Sequence, residues 1–235
     1  MGDVSRNSQA MPQGSSSEIV APLSTRMLFS RARFLGESTF LPHLPFLFWL
    51  IEVCRPRSFV ELGLGDGVSY FAVCQAIEKL DLGAICHGVE RTDDSAGSRK
   101  TGELQEYNDF NYEEFSRLMW ADPCDAVRRF PDGRVDLLHV DMDLDQDLIE
   151  SLMHDWTRKL SDKGIVLLHG VHTRLTKEPA RSFLDRIRSS RPTLTFEEGE
   201  GLLVVLYGPE RDERLVKLAG LDFGMPGHAD VHRVF

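Results

Sequence analysis

The chain is short of cysteine, of surplus positive charge and of long apolar runs, and each shortage removes a class of function. Its four cysteines, Cys54, Cys74, Cys86 and Cys124, form no CxxC pair and no metal-ligand spacing. Three of them lie inside apolar runs, where a reduced cysteine packs as a small hydrophobe. A formal net charge of −10 argues against a nucleic-acid backbone or an anionic membrane as the main partner. The most apolar stretch, LPFLFWLIEVC at Leu44–Cys54, is too short to span a bilayer and contains Glu52. It reads as a buried helix. The N-terminal MGDVSRNSQAMPQGSSSE has no apolar h-region, and Arg6 stands where a myristoylation signal needs Ser or Thr. The expectation is a cytoplasmic protein that takes a small molecule or another protein as partner, self-association being compatible with all of this.

What is present is ordinary for one globular domain: 42% hydrophobic and 27% charged residues in a chain of 235. Residues 1–24, rich in Ser, Gln, Gly and Pro, read as a disordered tail. Residues 25–208 carry the domain, and 209–235 form an extension without a regular period. Within the domain, strand-like runs alternate with helical patterns: SFVEL, AICHGVE, SRLMWA, VDLLHVD, GIVLLHG, TLTFEE and GLLVVLYG. The polar stretch Arg91–Tyr107 reads as a loop and SDKG as a turn. This alternation predicts a doubly wound, Rossmann-like α/β sheet of seven strands, with helices on both faces and an antiparallel hairpin at one edge.

In FVELGLGDGVSYF, Gly63, Gly65 and Gly67 separate the first strand from its helix, where such sheets bind ligands. A dinucleotide fingerprint needs glycine at its sixth position, which here is Val68. Glu61 at the end of the strand would repel a pyrophosphate but favour a sulfonium. Both features oppose a nicotinamide-dependent oxidoreductase. Glu90, ending the second strand, can accept hydrogen bonds from both hydroxyls of a ribose.

ELGLGDG resembles the first motif of the class I S-adenosylmethionine-dependent methyltransferases, and GVE resembles their ribose-binding acid. From LPHLPFLFWLIEVCRPRSFVELG to LLVVLYG the chain resembles a bacterial branch of that superfamily often encoded with, or fused to, glycosyltransferases. The resemblance implies that Glu61, Gly63, Gly65 and Gly67 surround the methionine end of the cofactor and that Glu90 holds the ribose. It further implies that Asp122 lies near the adenine, with Trp120 or Ala121, and that Asp141 faces the methyl-transfer site. The branch follows its fourth-strand aspartate with an Asp-Gly-x-His-x-Tyr pattern. Here the chain reads Asp141-Met142-Asp143-Leu144-Asp145-Gln146, and the branch's His-Asp at the fifth strand becomes His169-Gly170.

For a reaction on a hydroxyl, the candidate proton-handling groups are Asp141, His169 and His172. Asp143 and Asp145 read as the acidic cap of the next helix in preference to ligands for a divalent metal. His139 and the cluster Phe40, Phe46, Phe48 and Trp49 read as packing residues. The expected function is O-methylation of a sugar, glycan or secondary-metabolite hydroxyl. The sugar part rests on the branch's association with glycosyltransferases. The competing expectation is a cofactor-binding or scaffold protein without acceptor chemistry. Glu61→Ala or Gly65→Val is expected to abolish cofactor binding and leave the fold largely intact.

Overall fold

The seven apolar runs do form strands: β1 Ser58–Leu62, β2 Ile85–Glu90, β3 Ser116–Trp120, β4 Val135–Val140, β5 Leu160–His169, β6 Thr193–Phe196 and β7 Leu202–Leu206. A computed structural model describes residues 25–91, 97–220 and 234–235, so the expected tail at 1–24 lies outside the described residues. The strands make one sheet in the order β3-β2-β1-β4-β5-β7-β6. Pairing is parallel from β3 through β5, and β7 runs antiparallel to both β5 and β6. The strand order reverses direction at β1, between β2 and β4, so the crevice for a ligand opens at the carboxyl ends of β1 and β4.

Alternation along the strands sorts the core into two halves. Phe59, Leu137, Leu167 and Val204 face α1 (Leu44–Cys54) and α2 (Val68–Lys79). Val60, Leu138, Val166 and Val205 face the opposite layer. Phe40, Phe46, Phe48 and Trp49 are fully buried in the α1 half, as their helical spacing predicts. Glu61, His139 and His169 share the strand parity of the α1 half, so three polar side chains stand in an apolar layer. That placement shapes the site.

Three segments differ from expectation. Most of Arg91–Tyr107, read as loop, belongs to helix α3 (Gly97–Asn111). It buries little beyond Leu104 and Asn108, with Tyr107 packed at their side, too sparse a stripe to register as a period. SDKG is not a turn but the start of β5, where Leu160 pairs with Val135 ahead of a register shift. After the short α4 (Pro123–Ala126), DLIESLMHDWTRKL, whose apolar residues recur at the spacing of one regular helix, is instead divided among α5 (Gln146–Ser151), a π-helical turn Leu152–Trp156 and a last turn Thr157–Lys159. Helix α6 (Ala180–Ser190) follows β5, and α7 (Glu213–Ala219) buries Leu215 and Leu218 in the α1 half. The ring of Phe235 packs 5.2 Å from that of Trp49, so the chain beyond Gly208 contributes to the core.

Candidate active site

The turn after β1 is shaped by its neighbours. A Cβ on Gly63 (φ +84°) would collide with the Asp141 carbonyl, because the turns after β1 and β4 pass each other there. Gly65 (φ +50°) differs: a Cβ built on it meets nothing within 4 Å, so the turn is open on its outer side. Gly67 precedes α2 directly. The carboxylate that serves this open turn is Glu90. Its Oε2 accepts from the amides of Leu64 (2.7 Å) and Gly65 (3.0 Å), and its Oε1 accepts from Arg91 N at 3.1 Å.

Glu61 is elsewhere. Expected at the mouth of the turn, it is fully buried beneath it, because strand parity points its side chain into the α1 half. Its Oε1 accepts from Ser69 Oγ at 2.7 Å and its Oε2 lies 3.0 Å from His139 Nδ1. Burial pushes the Glu61 carboxyl up. Burial also opposes charge on His139, but the adjacent Glu61 outweighs it and raises the imidazole. Both shifts keep one proton within the pair.

At the far end of the crevice, Asp122 caps α4 by accepting from Cys124 N at 2.8 Å. It also receives Arg91 Nε at 2.9 Å. Burial opposes the charge, yet these donors hold the Asp122 carboxyl below its usual range. Arg91 spans the crevice by also donating to Asp145 at 3.1 Å. Asp145 is the cap of α5, accepting from Leu148 N at 2.8 Å, and Asp143 is exposed. Among the described residues, no group of three His, Cys, Asp or Glu side chains is disposed to hold a metal ion.

Asp141 follows β4 and His169 ends β5, and the structure brings them together: Asp141 Oδ1 lies 2.9 Å from His169 Nδ1. Arg174 donates to the same oxygen and reaches Glu200 at 3.3 Å on its other side. Burial works against the Asp141 charge, but His169, His139 and Arg174 together hold the carboxyl well below the usual carboxylate range. Gly170 stands where the branch carries aspartate. Its φ is +84°, and a Cβ there would strike the Arg174 guanidinium. The missing acid therefore makes room for a base. Leu144, in place of the branch's histidine, packs in the core half opposite α1.

His172 does not join this group. It pairs with Glu197 at 2.9 Å, beside the link between β6 and β7. On the buried side of His169, the rings of Phe40 and His43 lie 5.1 Å and 5.5 Å away. Burial and His169 push the His43 imidazole down to about 4. The Nε2 atoms of His43, His139 and His169 are all buried, without a hydrogen-bond partner among the described residues. Arg91, Arg174, Ser69 and His43 escaped the sequence reading. Arg91 directly follows the Glu90 it helps to fix, a signal that was there to be used. Arg174 carries none, because only folding brings it to Asp141.

Residues 60–171 match a family model described as a methyltransferase domain. Over that stretch the chain is similar to methyltransferase domains, and its seven-stranded sheet with an antiparallel edge is a Rossmann-like methyltransferase fold. Its fold is shared with the S-adenosylhomocysteine-bound methyltransferase PaMTH1 of Podospora anserina. That likeness has a TM-score of 0.56 at 13% identity and covers 87% of this chain and 98% of that one. The S-adenosylmethionine-bound O-methyltransferase TomG of Streptomyces achromogenes gives a TM-score of 0.54 at 13% identity, over 82% and 87% of the two chains. A curated relative, the uncharacterized protein y4gI of Sinorhizobium fredii, is 33% identical over 191 residues. The match takes in 79% of this chain but 21% of y4gI, so the chain spans about a fifth of the length of that relative. No helix among the described residues is long and apolar enough to cross a membrane.

The residues present suit the cofactor of this domain. The turn is open at Gly65 and is backed by the half-exposed Glu90, which keeps lone pairs for ribose hydroxyls, while Asp66 within the turn engages the Lys100 ammonium.

Proposed function

We propose that the protein transfers a methyl group to a hydroxyl oxygen of a small polar acceptor: a sugar, a glycan or a secondary metabolite. When bound, S-adenosylmethionine would supply the activated methyl as a sulfonium, its sulfur keeping the bonding pair and leaving as the neutral thioether of S-adenosylhomocysteine. In this reading, Gly63, Gly65 and Gly67 give its methionine end close access to the backbone, Glu90 accepts from its ribose, and Asp122 stands at its adenine. Glu61 acts from below, fixing β1 against β4.

The observation that carries the reading is the contact of Asp141 with His169 at the carboxyl ends of β4 and β5. A carboxylate on Nδ1 holds the imidazole with its proton on that nitrogen and leaves Nε2 as the basic atom. His169 Nε2 then takes the acceptor proton as the new carbon–oxygen bond forms, and Asp141 stabilises the resulting imidazolium. Phe40 and His43 cover Nε2, so the acceptor reaches it when that turn shifts, and their rings keep water from the transfer. Half-exposed Arg174, Glu200 and His172 at the rim offer donors and acceptors suited to a polyhydroxylated acceptor.

Titration calorimetry with S-adenosylhomocysteine tests the cofactor site, and mass spectrometry of sugar and phenol acceptors incubated with S-adenosylmethionine tests the transfer. Methylation that disappears in His169→Gln, with cofactor affinity retained, is the expected result. A protein that binds no cofactor at millimolar concentration overturns the proposal.

A further inference from the structure

On the face of the sheet opposite α1, away from the methyl-transfer crevice, a groove of about 320 Å³ runs between the π-helical turn and α6. Its volume falls in the lower range of small-ligand pockets. The floor is apolar, formed by Leu138, Val166 and Val205, and Met153 and Ile187 form its sides. Two guanidiniums stand at its rim. Arg191 lies flat on the Tyr207 ring, 4.2 Å from its centroid, and donates to the Tyr207 carbonyl at 3.2 Å. Arg186 reaches only the Met153 sulfur, at 3.9 Å. Neither has a carboxylate partner among the described residues, in a chain whose formal net charge is −10.

We propose that this groove binds an amphipathic monocarboxylate, an aliphatic acid whose chain lies on the strand floor and whose carboxylate meets Arg186 and Arg191. An apolar bed draws in a hydrocarbon chain, and two guanidiniums without a carboxylate partner at one end favour an anion. The π-helical turn supports the assignment. Its extra residue displaces Met153 from the regular helical path, and such turns recur at binding sites because they re-aim side chains. The groove is distinct from the cofactor turn, so its ligand is neither donor nor acceptor of the methyl group.

The test is calorimetric titration of the full chain with sodium decanoate and, separately, decanol. Decanoate is expected to bind saturably, at one per chain, and at least about tenfold more tightly than decanol. Arg186→Gln combined with Arg191→Gln, both at partly exposed positions, should remove that preference without changing S-adenosylhomocysteine affinity. Ile187→Trp should fill the groove and abolish binding. Equal affinity for acid and alcohol, or decanoate binding unaffected by the arginine and tryptophan variants, overturns the proposal. So does a protein that ignores decanoate and runs as a dimer until Ile187→Trp splits it, since a second copy would then cover the groove.

Discussion

Glu61 on β1 and His139 on β4 are register partners, and their side chains meet 3.0 Å apart where water does not reach either one. A buried pair of this kind is weak as a source of stability but costly to break, because the survivor is left charged or unpaired. Glu61→Ala should therefore lose about 3–5 kcal/mol of unfolding free energy, contrary to the expectation that the fold would tolerate it. Glu61→Gln keeps the shape and should lose less. Urea unfolding of the two variants decides the matter, and equal stability of Glu61→Ala and the wild type would contradict the pairing.

Gly65 gives the opposite profile. Its substituent would point into open space, so Gly65→Ala meets only the strain of a left-handed backbone, about 1–2 kcal/mol. The expected outcome is a folded protein whose affinity for S-adenosylhomocysteine falls by an order of magnitude or more, since the new methyl occupies the approach of the ligand. Calorimetry beside a thermal melt separates the two effects. A variant that melts normally and binds normally would place the cofactor elsewhere.

Asp141→Asn should preserve the geometry around His169 while removing the charge that orients it. General-base catalysis contributes roughly 10²–10⁴-fold, and the expected loss in kcat lies in that range with little change in cofactor affinity. The stability effect follows from the depressed carboxyl. A group whose folded-state pKa is lowered contributes fully above its unfolded value, about 3.9 for aspartate, and loses that contribution as pH falls toward the folded value. Wild type and Asp141→Asn should thus converge in stability below about pH 4. Curves that stay parallel down to pH 2 would deny the shift.

His43 titrates by the same sign rule over a higher window. Its imidazole is lowered from 6.5 to about 4, so the folded state resists protonation. The contribution is complete above about pH 6.5 and is lost as pH falls to about 4, a change on the order of 3 kcal/mol. His43→Phe should flatten the urea midpoint between pH 4 and 6.5. A midpoint in the wild type that does not move across that interval refutes the prediction.

The strands, the glycine turn and Glu90 were legible because their signals are local: alternation, a Gly-rich link after an apolar run, an acid at a strand end. Asp145 could be read as a helix cap for the same reason, since a cap lies within four residues of the amides it serves. Helix α3 was not legible, because a helix that buries so little leaves no periodic trace. Glu61 was misplaced because a strand residue has two faces to choose from, and its sequence position next to the turn does not say which one it takes.

The sequence by itself determined the order of the strands, the glycine turn after β1 and the carboxylate that ends β2, since each shows in a pattern of near neighbours in the chain. Only the tertiary structure decided that Glu61 belongs to His139, that Asp141 belongs to His169, and that the absence of a side chain at Gly170 admits Arg174. Glu61 and Asp141 each meet partners dozens of positions away, Arg174 reaches Asp141 across a similar gap, and which face of a strand is covered decides where Glu61 points; all follow from how the sheet packs.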